Sequence, residues 1–188
     1  MLIIPASLQK TTNWSGGTTT QLYIYPEGTS YAARDFLFRI STATIETETS
    51  TFTSLPAFQR ILLILKGSLA ITHKDRYSKQ LHPFDTDRFD GAWKTSAIGK
   101  VTDFNLMMAA NARGDCTHEL LHSGQSKKIT AKNSFYGIYW LQGSAVLTYN
   151  SNECSIKSGD FISLLKGETL TILAQGTSNW VSVEVNYS

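Results

Sequence analysis

Residues 60–72, RILLILKGSLAIT, decide how this chain is read, because residues 137–148, GIYWLQGSAVLT, repeat the same plan. Laying Gly143 on Gly67 aligns a leucine two places before each glycine, a serine after it, then small and aliphatic residues ending in threonine. Each copy is an apolar run broken by a Gly-Ser turn signal and resumed, which reads as strand, bend and strand. One such unit in each half predicts two similar β-domains related by internal duplication. The turn-forming stretch Asn111–Asp115, NARGD, marks the boundary, giving domains over 1–110 and 111–188.

Around that core the chain reads as strands throughout. Residues 36–46, FLFRISTATIE, alternate with period two, which puts Arg39, Ser41, Ala43 and Ile45 on one face and Phe36, Phe38 and Ile40 on the other. Residues 102–108, TDFNLMM, alternate likewise, with Asp103, Asn105 and Met107 together. Leu2 to Pro5 is a short edge strand, Gly16-Gly17 a tight bend before the extended run 18–25, and 51–60 a loop that delivers Phe52, Phe58 and Arg60 to the next strand. Residues 82–91 read as turns anchored by Phe84, Phe89 and Trp93. Strands in the second half are expected near 117–122, 134–140, 145–149, 161–165, 169–174 and 181–185. No segment has a helical period over three turns, so the fold class is all-β, of barrel or jelly-roll type.

Composition narrows the partners. A 188-residue chain with 41% hydrophobic residues can build a sizeable core. Its net charge is +2, and Lys127-Lys128 is the sole basic pair, so a nucleic-acid face is not expected. The opening MLIIPASLQK has neither the basic region nor the apolar length of a signal or membrane span. Cys116 and Cys154 are too few for a disulfide scaffold and fit a reduced, cytoplasmic setting.

Several chemical motifs are present in letters but lack their context. His118-Glu-Leu-Leu-His122 matches H-E-x-x-H, which holds zinc when a helix brings both histidines to one face. Only nine residues separate Gly114 from Gly124, and on a strand the two histidines stand about 13 Å apart, too far to share an ion. A zinc hydrolase through His118 and His122 is therefore a minor alternative. A metal-holding cupin needs clustered histidines, and His73 and His82 do not form such a cluster, so no metal or other cofactor is expected.

What remains is a polar set at strand ends of the first half: Gln21, Arg39, Ser41, Arg60, Asp103 and Asn105, with Trp14 and Phe52 beside them. Two guanidinium groups among amides and aromatics suit a small anionic ligand, since guanidinium pairs with carboxylate in a bidentate fork. A polar network that only closes the end of the domain would use the same residues.

The blocks WSGGTTTQL (14–22), FRISTA (38–43), FTSLPAFQR (52–60), LKGSL (65–69), FDG (89–91) and DFNLM (103–107) resemble, in order and spacing, those of the HutD/Ves family. The resemblance implies a double-cupin fold, a small cytoplasmic bacterial protein, and no established enzymatic activity. It also implies a link to histidine utilisation, through sensing of an intermediate such as urocanate or formiminoglutamate, or to stress response. Carried residue by residue, the motif positions are Gly16, Gly17, Thr19, Arg39, Ser41, Phe52, Pro56, Arg60, Asp103 and Asn105. The chain departs from the family in having Gln21 and Gln59 where acids are common, which makes an arginine-lined pocket more positive. The expected ligand-binding set is thus Trp14, Thr19, Gln21, Arg39, Ser41, Phe52, Arg60, Asp103 and Asn105, taking a small anionic metabolite without catalysis, with a homodimer as an allowed assembly. The competing enzyme reading is a metal-independent isomerase or hydrolase using Asp103 with His82.

Overall fold

The computed structural model describes residues Met1–Ser188 as nineteen strands and one short 3-10 turn, Ala6–Leu8. The chain divides into two compact units, Lys10–Ala112 and Met1–Gln9 with Arg113–Ser188. The first nine residues thus belong with the second half, because strand β1 (Leu2–Ile4) pairs antiparallel with β17 (Phe161–Leu165).

The Lys10–Ala112 unit holds β2 (Lys10–Trp14), β3 (Gly17–Tyr25), β4 (Phe38–Ile45), β5 (Thr49–Thr51), β6 (Phe58–Gly67), β7 (Leu69–His73), β8 (Tyr77–Leu81), β9 (Thr86–Asp90), β10 (Thr95–Ile98) and β11 (Val101–Ala109). They form a six-stranded sheet, β2-β3-β4-β11-β6-β9, and a four-stranded sheet, β5-β10-β7-β8. Inward residues of both sheets, among them Ile45, Leu62, Ile64, Leu69, Ile71, Leu81 and Phe89, make one buried cluster. β6 is buried on both faces along Arg60–Ile64 and is an interior strand flanked by β11 and β9, which is why RILLIL lacks clean alternation.

The other unit adds β12 (Ala112–Leu121), β13 (Ser126–Thr130), β14 (Phe135–Gln142), β15 (Ala145–Tyr149), β16 (Asn152–Ile156), β18 (Thr169–Ala174) and β19 (Ser178–Tyr187). Its sheets run β1-β17-β14-β19-β12 and β13-β18-β15-β16. Trp140 and Trp180, both fully buried and stacked at 5.2 Å, centre its core.

The order β9-β6-β11-β4 in one unit has the same sequence of connections as β17-β14-β19-β12 in the other, each strand lying eight places later, and the small sheets correspond likewise. The Gly-Ser turns match too. Gly67 and Gly143 have φ of 87° and 88°, and a Cβ at either would lie within 2.5 Å of a carbonyl or hydroxyl oxygen. Only glycine takes this turn without strain.

Four details differ from the expectations. The sheets are open rather than closed barrels, since each ends in edge strands; the units bury apolar surface by packing two sheets face to face instead of by closure. Residues 86–90 form a strand, not turns, because Asp87 and Phe89 point inward while Thr86 and Arg88 face out. β13 and β16, polar margins with weak alternation, are additional strands. Residues 58–60, expected to end a loop, already belong to β6, which begins at Phe58.

Candidate functional site

The inner face of the six-stranded sheet changes character along its length. At one end Ile45, Leu62, Ile64 and Val101 are core. At the other the same alternation brings Arg39 and Ser41 from β4, Arg60 from β6, and Asp103, Asn105 and Met107 from β11 to a cavity of about 690 Å³. Register explains the gathering: Met107 pairs with Arg39 on one side and Arg60 on the other, and Asn105 with Ser41 and Leu62. The two arginines therefore stand level, about 10 Å apart at Cα across three strands.

Eight of the nine expected residues line this cavity: Trp14, Thr19, Arg39, Ser41, Phe52, Arg60, Asp103 and Asn105. Gln21 stands behind them, its Oε1 accepting from Arg39 Nε at 2.9 Å, while Arg39 Nη1 donates to Ser41 Oγ at 3.0 Å. Tyr31, which no sequence pattern marked, lies with its ring 4.7 Å from the Arg39 guanidinium carbon. The hydroxyl run Thr47–Thr53 forms another part of the wall; its composition was a usable signal. Trp14 closes over the two-residue turn of the β2–β3 hairpin, where a Cβ on Gly16 would lie 2.1 Å from the indole.

Arg60 is the most constrained group. It is 5% exposed, and its guanidinium carbon lies 5.0 and 5.2 Å from the rings of Phe52 and Phe89, which meet edge to face beside it. Its Nη2 donates to Asn105 Oδ1 at 3.1 Å, and Asn105 Nδ2 donates to Asp103 Oδ1. Its Nε is buried without any hydrogen-bond partner, as is Ser50 Oγ, which lines the same cavity. A buried donor left unpaired costs stability, so an acceptor at this spot would be held firmly.

The charge balance is positive. Burial pulls the Arg60 pKa down to about 10, against the opposing pull of Tyr31 and Asp103, and lowers that of Arg39. Burial pushes Asp103 up to about 7, although Arg60, the Ala43 N–H and Asn105 all favour its ionised form. The cavity thus sets two guanidinium groups against a single carboxyl that burial makes reluctant to ionise.

The alternatives fare differently. His82 is exposed in the turn after β8, with Nδ1 3.2 Å from Ser68 Oγ, and does not line the cavity, so the proposed pairing with Asp103 is not made. His118 lies on strand β12 and His122 just beyond its end, so the H-E-x-x-H motif never forms the helix that would bring them together. No group of three or more His, Cys, Asp or Glu side chains is placed to hold a metal ion. No helix is long and apolar enough to cross a membrane. In the second unit the position matching Arg60 is Tyr136, which donates to Ser182 Oγ at 2.9 Å beside a cleft of about 450 Å³.

A family model described as HutD matches residues 6–181. Among solved structures, a conserved protein of unknown function from Pseudomonas aeruginosa PAO1 superposes with a TM-score of 0.82 at 19% identity, covering 98% of both chains. HutD from Pseudomonas fluorescens SBW25 gives 0.72 at 18% identity, over 100% of this chain and 98% of that one. A vicilin from Solanum melongena, described as having different anionic ligands in structurally similar pockets, also superposes, with a TM-score of 0.72 at 11% identity over 99% of this chain and 86% of that one. No curated protein sequence matches.

Proposed function

The chain belongs to the HutD family, and on that premise we propose that its Lys10–Ala112 unit binds a small anionic metabolite in the arginine-lined cavity, as a binding protein without metal or catalysis. The observation that carries this reading is Arg60 Nε: a fully buried guanidinium donor with no acceptor, aligned with a second arginine and opposed by one weakly acidic carboxyl. Arg60 would grip one carboxylate and Arg39, held by Gln21 and Ser41, a second acceptor. Trp14, Thr19 and Phe52 would cover the ligand. The anionic ligands described for the vicilin are a precedent for such chemistry in this fold. We read the shared strand order and paired Gly-Ser turns as support for a bicupin that arose by duplication. We further propose, with the family's link to histidine utilisation or stress response as support, a regulatory role in the cytoplasm, and carry a homodimer as a candidate assembly.

Titration calorimetry with urocanate, formiminoglutamate and glutarate tests the reading. Heat with at least one of them, lost in Arg60→Ala, is expected. No heat with any, or equal heat from Arg60→Ala, would remove it. The isomerase or hydrolase alternative requires turnover in the same mixtures, and no base stands near Asp103 to support it.

A further inference from the structure

Asp103 is the one acid that lines the cavity. It is 1% exposed, on the strand between the two arginine-bearing strands. The groups that face it are Arg60 from β6, reached through the Asn105 amide, the Ala43 N–H from β4, Arg39 further along β4, and Tyr31 from the loop before that strand. In the free protein an ionised Asp103 is the internal counter-charge for Arg60. A ligand carboxylate placed on the unpartnered Arg60 Nε takes over that task and sets a second negative charge against a carboxyl that is itself buried.

We propose that an anion enters this cavity together with one proton, taken from solvent by Asp103, so that binding is proton-coupled. The inference rests on the anion-binding reading above and adds its regulation. The only bond formed is the O–H of Asp103, whose carboxylate takes the solvent proton and becomes a carboxyl, which offsets one negative charge of the ligand. Burial already holds this group near neutrality, so ligand arrival acts where protonation is easily switched.

Glutarate is a suitable probe because both its carboxylates stay ionised above about pH 6.5. Calorimetry at about pH 6.5, 7.5 and 8.5 should show affinity falling as pH rises, approaching tenfold per unit. Heats in phosphate and in Tris at about pH 7.5 should differ by the gap between the two buffers' ionisation heats multiplied by the protons taken up, most of one per ligand at that pH. Asp103→Asn, which mimics the protonated acid, should bind at least as tightly as the wild type at the lowest pH, with no slope. A flat profile with buffer-independent heats, or a slope that persists in Asp103→Asn, overturns the coupling. Flat binding that Arg60→Ala abolishes sinks the coupling but leaves the anion reading standing; no heat at any pH sinks both. Should Asp103→Asn fail to fold, the buffer dependence of the wild type alone decides.

Discussion

Replacing Arg60 by methionine should remove ligand binding while leaving the protein about as stable as before. The reasoning starts from the cost of burying the guanidinium. Its pKa falls from 12.5 to about 10, and at about 1.4 kcal/mol per unit that is roughly 3 kcal/mol set against the folded state at all pH values below 10. Opposing it are two ring contacts, with Phe52 and Phe89, at about 0.5–1 kcal/mol each, and one hydrogen bond to Asn105, at about 1 kcal/mol. Methionine fills most of the vacated space and keeps the sulfur near both rings. Asp103, relieved of a neighbouring cation, turns neutral rather than remaining a stranded charge. The sum lies within about 1 kcal/mol of zero, or a Tm within about 4 °C of the wild type for a chain of this size. Thermal unfolding at about pH 7, read beside the calorimetric titration, checks both halves of the claim. An arginine kept for structure alone would behave differently, since removing one member of a buried charged network costs about 3–5 kcal/mol. A loss of that size in Arg60→Met would refute the assignment of its cost to ligand binding.

Stability should respond to Asp103 in the opposite sense to an ordinary salt-bridged acid. Its folded pKa is raised from 3.8 to about 7, so the stabilisation is complete below about pH 4 and is lost as pH rises to about 7; Asp103→Asn should flatten that part of the Tm profile. Gly67→Ala and Gly143→Ala should each cost more than about 1 kcal/mol in denaturant unfolding, because both need a left-handed backbone and an added Cβ meets Lys100 O or Thr177 O; an unchanged midpoint would mean that the turns can relax. Trp180→Ala should cost about 3–5 kcal/mol, for it empties a fully buried ring site stacked on Trp140 and removes the indole N–H bond to Ser182; a smaller loss would show that the core collapses around the gap. Gly16→Ala should raise the accessibility of Trp14 to a fluorescence quencher, since the added Cβ displaces the indole from the turn.

How far the sequence alone reaches follows from periodicity. Alternation is a local property, so FRISTATIE and TDFNLMM already put Arg39 with Ser41 and Asp103 with Asn105, and the repeated Gly-Ser bend already paired β6–β7 with β14–β15. Arg39, Ser41, Asp103 and Asn105 meet at one cavity because the facing set by a two-residue period survives whatever the strand order, whereas Thr19 is implied by the family resemblance and Trp14, Phe52 and Arg60 by their place at strand ends. Other features depend on which strand lies beside which. That β4, β11 and β6 are neighbours, in a register that sets Arg39 and Arg60 level with Met107, cannot be read from residues tens of positions apart. Neither can the exclusion of His82, the arrival of Tyr31 from an aperiodic loop, nor the crossing of β1 to the far half of the chain. The charge state of the site is tertiary for the same reason. The residue types supply two bases and an acid, but only burial, which is decided by the packing of both sheets, brings Asp103 near neutrality and leaves Arg60 Nε without a partner.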